Sequence, residues 1–338
     1  MVVRAEQFGT IDGRRVDRFR LDSAAGAVVE IISYGASVSN WLVPLRGRHR
    51  PVVLGFPDLS GYLAQRAHFG AIAGRVANRI SGARFSLDGL TYELPANNAD
   101  KCLHGGPEGL GLQVWHAEID SAGNGVRFTH VSPDGAMGFP GTVCFAAHYR
   151  LEGGRLSLEL SADADRRTPI SLVQHLYFNL GTGPDVIDHR FRFAASAYTP
   201  NRTDLTPTGE ILPVAGTRWD FRQPRSLRDA AGAALVYDGN LVLDGERDPD
   251  RPVAEVESPD GALRLELRTD RPGLQFYNGP WTDIAAPGHG GAHYGRFSGF
   301  CLEDQALPDA LNTPHFPSII YGPDRPYRHS CAIDIAAT

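Results

Sequence analysis

The chain has 338 residues, with 33 lysines and arginines against 39 aspartates and glutamates, a formal charge of −6 with histidine neutral. So mild an anion has no basic stripe for a phosphate backbone or an anionic membrane, which sets nucleic acid and membrane surfaces aside as partners. Apolar residues form 42 % of the sequence, enough to bury a large core, while 38 glycines and 24 prolines predict frequent turns.

From the N-terminus, Met1 to Gly13 mixes Arg4, Glu6 and Asp12 and lacks the continuous apolar stretch of a signal peptide, so a cytoplasmic location is the expectation. No run of about 18 apolar residues reads as a membrane span. Leu59 to Phe69 has the spacing of a helix of two or three turns. Arg84 to Leu94 alternates apolar and polar on both sides of Asp88-Gly89, the pattern of a hairpin. A second hairpin runs through Val143, Phe145, Ala147, Tyr149 and Leu151, turns at Gly153-Gly154 and returns through Leu156, Leu158 and Leu160. Arg225 to Ala234 reads as another short helix, and Val253 starts a third hairpin that turns at Pro259-Asp260-Gly261 into Leu263, Leu265 and Leu267. Asp283 to Gly295, rich in glycine and proline, reads as a loop. Short strands about ten residues apart predict a single all-β domain over residues 1–338, a sandwich or barrel and not alternating βαβ units. The cysteines 102, 144, 301 and 331 are far apart and form no C-x-x-C pair, so they are expected to be reduced, without a zinc knuckle or redox dithiol.

No phosphate loop, dinucleotide fingerprint or G-x-S-x-G elbow occurs. The histidines of Gly288-His-Gly-Gly-Ala-His293 lie in the glycine loop with no third ligand nearby, so no metal site is expected there. Three other places offer chemistry. His175 lies in the apolar run Ile170–Leu180 and reads as a hydrogen-bonded core histidine or as a group that exchanges protons near neutrality. Glu303 ends the apolar segment Phe297–Leu302 and is an exposed strand-end carboxylate or, in a cleft, a base with a raised pKa. His104 precedes Gly105-Gly106, glycines that would let a ligand approach the backbone or simply make a turn. Asn78 and Arg79 offer donors and an acceptor suited to sugar hydroxyls, or a surface ion pair.

Together, Gly74-Arg-Val-Ala-Asn-Arg-Ile80, Leu103-His-Gly-Gly-Pro-Glu-Gly109, Thr168-Pro-Ile with His175-Leu-Tyr-Phe-Asn-Leu180, Gly273-Leu-Gln-Phe-Tyr-Asn-Gly279 and Gly299-Phe-Cys-Leu-Glu303 resemble the signatures of the aldose 1-epimerases, in that family's order. The resemblance runs from about Gly9 to His329. It implies a large antiparallel β-sandwich, no cofactor, no metal, a monosaccharide substrate bound in an open cleft, and a monomer or homodimer. It also implies roles: Glu303 as general base at the anomeric hydroxyl, His175 as general acid at the ring oxygen, and His104, Asn78, Arg79, Tyr177, Asp238 and Gln275 as sugar ligands. Relatives often carry Asn-His-Ser-Tyr where this chain has Gln174-His175-Leu176-Tyr177, and Asp-His where it has Asp238-Gly239. A serine and a histidine lost beside the pocket would change which hydroxyls are read, leaving galactose, glucose, xylose and arabinose as candidate substrates. A hexose-6-phosphate epimerase would need a cluster of basic side chains at the cleft mouth, beyond Arg75 and Arg79. A non-catalytic sugar-binding protein on the same fold would keep the ligands and have no use for the proton pair.

Overall fold

The computed structural model describes residues 2–121, 123–245 and 250–338, and it is built almost wholly of antiparallel strands. A five-stranded meander comes first, with Val2–Ile11, Arg14–Asp22, Val28–Ile32, Ser37–Leu45 and Arg48–Pro51 in chain order. An eight-stranded sheet follows, in which His116–Ile119, Gly125–Ser132, Val143–Glu152 and Arg155–Ala164 form a meander. The C-terminal strand Tyr327–Ala337 joins that meander to Leu263–Thr269, Ala254–Glu257 and Arg190–Phe193. A second five-stranded sheet runs Leu212–Pro213, Ala195–Thr199, Asp238–Leu243, Gly273–Tyr277 and Cys301–Gln305. One apolar cluster draws on all three sheets, including Val29, Trp41, Phe128, Phe145, Tyr149, Leu265 and Phe276. This is the antiparallel sandwich expected of the sequence.

The three hairpins form where period-two alternation met a turn signal. Arg84–Leu87 pairs with Leu90–Glu93 around Asp88-Gly89, and Leu263–Thr269 buries every second residue. Both expected helices are corrected. The first is a single turn, Leu59–Leu63, capped by Asp58, whose side chain accepts from the Gly61 N–H at 3.2 Å. It ends at Ala64, and further on His68 and Gly70 adopt left-handed backbone (φ +56° and +69°) on either side of Phe69, whose ring stacks on Tyr177 at 4.3 Å. In the second, Arg225 and Leu227 give their N–H groups to Phe191 and Ile187 carbonyls instead of to their own turn, and Asp229 closes a tight loop by accepting from Ala231 and Ala233. Pairing with neighbouring chain outweighs weak helical periodicity there. No helix among the described residues is long and apolar enough to cross a membrane, and the four cysteines are unpaired.

Arg75 does not face the sugar motifs with which it shares a segment. Its buried guanidinium donates to the carbonyls of Ser132, Pro133, Pro140 and Gly141 and to the Ser132 hydroxyl, tying the 132–141 turn to the segment that carries Asn78 and Arg79. Arg75→Ala leaves those buried acceptors unpaired, so a loss of about 3 kcal/mol or more is expected, read as a fall in the urea midpoint.

Candidate active site

Strand register brings the polar groups together. Asn240, Gln275 and Glu303 lie opposite one another across three strands, and Asp238, Tyr277 and Cys301 form the next row. With a side-chain period of two, both rows share one face of the sheet. Glu303 is the third of five residues in its strand and is buried, not the exposed strand end that the sequence offered as one reading. The facing wall is the segment around His175. Phe178 and Phe300 exchange both backbone hydrogen bonds, at 2.7 and 2.9 Å, and three residues away on each side this antiparallel register sets His175 opposite Glu303. His175 Nε2 lies 3.6 Å from Glu303 Oε1, and its Nδ1 lies 3.7 Å from the Cys301 thiol. The His175 backbone is held to the 70–73 segment, donating to Ala71 and accepting from Gly70.

The third wall comes from Asn78, Arg79 and His104. Asn78 has left-handed backbone, its side chain accepts from the Arg79 N–H at 2.8 Å, and its own N–H donates to His104 Nδ1 at 3.3 Å. That bond makes Nδ1 the acceptor, so a neutral His104 carries its proton on Nε2. Gly105 is required by the fold: a Cβ there would sit 1.9 Å from the Gly74 carbonyl oxygen. Arg79 pairs with Asp238 at 3.4 Å and donates to the Asn98 side chain at 3.3 Å, while the Gln275 amide donates to the other oxygen of Asp238.

Glu303, His175, His104, Asn78, Arg79, Tyr177, Asp238 and Gln275 all line one open cleft of about 190 Å³. The Tyr177 hydroxyl is already committed to the Ala67 carbonyl at 3.0 Å, so its ring forms the wall while its oxygen braces the 67–70 turn. Arg66, His68, Tyr277 and Trp281 also line the cleft and were missed in the sequence. Arg66 and His68 were hidden inside the supposed helix; Trp281, 58 % exposed and stacked on Tyr277, is the kind of exposed aromatic that a sugar's apolar face fits. The departures at Gln174, Leu176 and Gly239 do not touch the cleft. Gln174 donates to the Tyr149 hydroxyl, Leu176 packs in the main core, and a Cβ on Gly239 would meet the Trp219 ring at 2.6 Å on the far side of the sheet. None of the three is among the residues that line the cleft.

Among the described residues, two groups of side chains have cation-binding chemistry. His104, His175 and Glu303 bring their donor atoms within 4.8 Å of one another, as do Asp304, His329 and Cys331 behind the sheet, where Asp304 already accepts from His329 at 2.7 Å and from Thr269. In the glycine loop, His289 bonds the Ser39 carbonyl and His293 lies 3.9 Å from Asp283.

A family model described as aldose 1-epimerase matches residues 17–334. Among curated proteins, the chain is 42 % identical to galactose mutarotase of Bos taurus over 93 % of this chain and 92 % of that protein. It is 40 % identical to galactose mutarotase of Homo sapiens over 94 % and 93 %, and 34 % identical to aldose 1-epimerase of Escherichia coli K12 over 90 % of each. Among solved structures, an aldose epimerase homologue from C. elegans superposes with a TM-score of 0.88 at 26 % identity, covering 94 % of this chain and 98 % of that one. Galactose 1-epimerase from Lactobacillus acidophilus gives 0.85 at 25 % identity, covering 99 % and 98 %.

Burial sets the charge state of the cleft. Desolvation, reinforced by the Asp238 charge, pushes the Glu303 carboxyl up to about 8, against the opposing pull of Arg79. Desolvation and then His68 push His175 down to about 3, and burial carries His104 well below the usual histidine range. The Asp238 carboxyl is also raised by burial, with Arg79 and Gln275 holding it back. Glu303 Oε2 has no hydrogen-bond partner, so the resting cleft favours a neutral acid beside a neutral imidazole. An unfolded chain sheds the Glu303 proton near the ordinary value of 4.5, the folded one near 8, so this group erodes stability as pH rises between those values. Glu303→Gln removes that penalty, and its melting temperature is expected to exceed the parent's by a margin that is small at pH 5 and grows to its full size above pH 8.

Proposed function

The chain belongs to the aldose 1-epimerase family and is an aldose mutarotase, an isomerase acting on carbohydrates, and on that premise we propose that Glu303 and His175 are its acid–base pair. The observation that carries the assignment is the 3.6 Å separation of His175 Nε2 and Glu303 Oε1, two buried groups lining one polar cleft. Opening a pyranose requires a proton removed at O1 and one delivered to O5, two atoms on neighbouring positions of one carbon. The one proton that the pair holds at rest on Glu303 first passes to His175, and the resulting carboxylate and imidazolium, this close together, can face both atoms; each positioned group is worth about 10²- to 10⁴-fold. Glu303 takes the O1 proton as His175 gives one to O5, which leaves both groups neutral and the sugar as an open aldehyde. That neutral pairing is the one burial favours. Rotation about C1–C2 exposes the other face of the carbonyl, and reclosure returns both protons to give the other anomer. Asn78, Arg79, His104, Asp238 and Gln275 are proposed to hold hydroxyls of a free galactose, glucose, xylose or arabinose, with Tyr177 as wall.

A hexose phosphate is disfavoured. Arg75 is consumed by carbonyls, Arg79 faces Asp238, and Arg66 is the guanidinium left at the cleft among the described residues.

The test is polarimetry of freshly dissolved α-D-galactose, α-D-glucose, α-D-xylose and glucose 6-phosphate. The protein is expected to speed relaxation of the free sugars to the same final rotation, and Glu303→Gln and His175→Asn are each expected to lose at least about 100-fold in kcat/KM. Unchanged rates in both variants would remove the pair from the mechanism. The pH profile is a second check. Between the two titrations the pair holds a single transferable proton, and above about 8 it loses that proton. The kcat/KM value is therefore expected to be flat through neutrality and to fall on an alkaline limb centred near 8.

A further inference from the structure

The mechanism leaves one buried imidazole of the cleft without a task. His68 lines the cleft with its ring 5.0 Å from His104 and 6.2 Å from His175, centre to centre, and it is 8 % exposed. Its placement is constrained on every side. The backbone is left-handed at φ +56°, the preceding carbonyl of Ala67 is held by Tyr177, the following Phe69 is stacked on Tyr177, and the His68 carbonyl accepts from the Ala71 N–H. Such strain persists only where the surroundings determine it, and it aims this ring at the cleft and not at solvent.

The two ring nitrogens differ. Nδ1 is sealed in with no partner, 2.8 Å from the point a Cβ on Gly111 would occupy, so it rests over the glycine backbone. An N–H there would press against Gly111 with no acceptor, whereas a lone pair facing C–H is tolerated, which assigns the proton to Nε2. Nε2 is not among the sealed, partnerless atoms, and the ring is part of the cleft wall. His104 reaches the same tautomer by a different route, through the Asn78 N–H on its Nδ1. The cleft therefore presents two imidazole N–H donors from adjacent rings beside the acid–base pair.

We propose that His68 is a substrate-binding residue of the mutarotase, donating a hydrogen bond from Nε2 to a hydroxyl of the sugar alongside His104. The inference rests on the mutarotase reading. Burial and the neighbouring Arg66 hold the His68 ring down to about 4, so it stays neutral at working pH and adds no competing charge beside His175. A neutral donor is what a hydroxyl ligand wants, since it binds without drawing off the proton that Glu303 and His175 must pass.

The test compares His68→Phe, which fills the space without a donor, with His68→Gln, which restores one, using polarimetry on galactose and xylose. His68→Phe is expected to lose about tenfold in kcat/KM, mostly through KM, and His68→Gln to stay within about twofold of the parent. Parental kcat/KM in His68→Phe would overturn the proposal, and so would equal losses in both variants, which would make the ring a packing element only. ¹⁵N NMR of the imidazoles adds a readout independent of turnover. His68 is expected to show the Nε2–H tautomer at pH 7 and its Nε2 resonance to shift on addition of galactose; an Nδ1–H tautomer or an unmoved resonance would refute the assignment. If the parent protein itself accelerates no sugar, it is the mutarotase reading that fails, and the tautomer measurement still judges the geometry of His68.

Discussion

Two reciprocal hydrogen bonds between Phe178 and Phe300 set the spacing on which the proposed acid–base chemistry depends. They join a short irregular segment to the edge of a sheet, and antiparallel pairing does the rest, because counting three residues outward on each side arrives at His175 and Glu303. A slip of one residue would turn either side chain to the opposite face and break the pair. The aromatic rings of Phe178 and Phe300 lie 5.6 Å apart in the core, with Phe191 5.0 Å from Phe300, so apolar packing guards the register that the polar groups require.

On that frame the cleft balances burial against charge. Arg79 and Asp238 pair within it, and Gln275 donates to the second Asp238 oxygen, which holds these three side chains in fixed positions. Glu303 is left less satisfied than any of these, with one oxygen unpartnered. A carboxyl supported by more donors would be a weaker base, so the gap in its hydrogen bonding suits it to the proton exchange proposed for it.

An all-β sandwich or barrel was legible from period-two alternation because each strand buries one face, as Leu263 to Thr269 does, and the Asp-Gly and Gly-Gly turns fall where the strands reverse; the family resemblance chose the sandwich. Helices misread at Leu59–Phe69 and Arg225–Ala234 share a cause: their apolar residues are spaced by contacts with distant chain, Phe69 with Tyr177 and Leu227 with Ile187, and not by a helical face. The motifs named residues now found around one cleft, yet sequence could not reveal that the Tyr177 oxygen is occupied, that Gly105 serves the Gly74 backbone, or that Gly239 makes room for Trp219. Each of those facts depends on which face of an element a residue takes. His68 was invisible for the same reason, since its role comes from a left-handed backbone that local patterning hid under a helix.

The thiol behind His175 has a further meaning. Ring opening unmasks an aldehyde, an electrophile that amines capture as imines and thiolates as hemithioacetals. Burial raises Cys301 well above the ordinary thiol range, so the sulfur beside the imidazole stays protonated and inert. The single lysine of the sequence, Lys101, is held away from the cleft lining by Asp100 at 2.6 Å and Asp204 at 3.6 Å. Cations in the lining are supplied by arginine, whose guanidinium is never free base at neutral pH. The cleft can thus hold a reactive carbonyl through many turnovers without being glycated by its own intermediate.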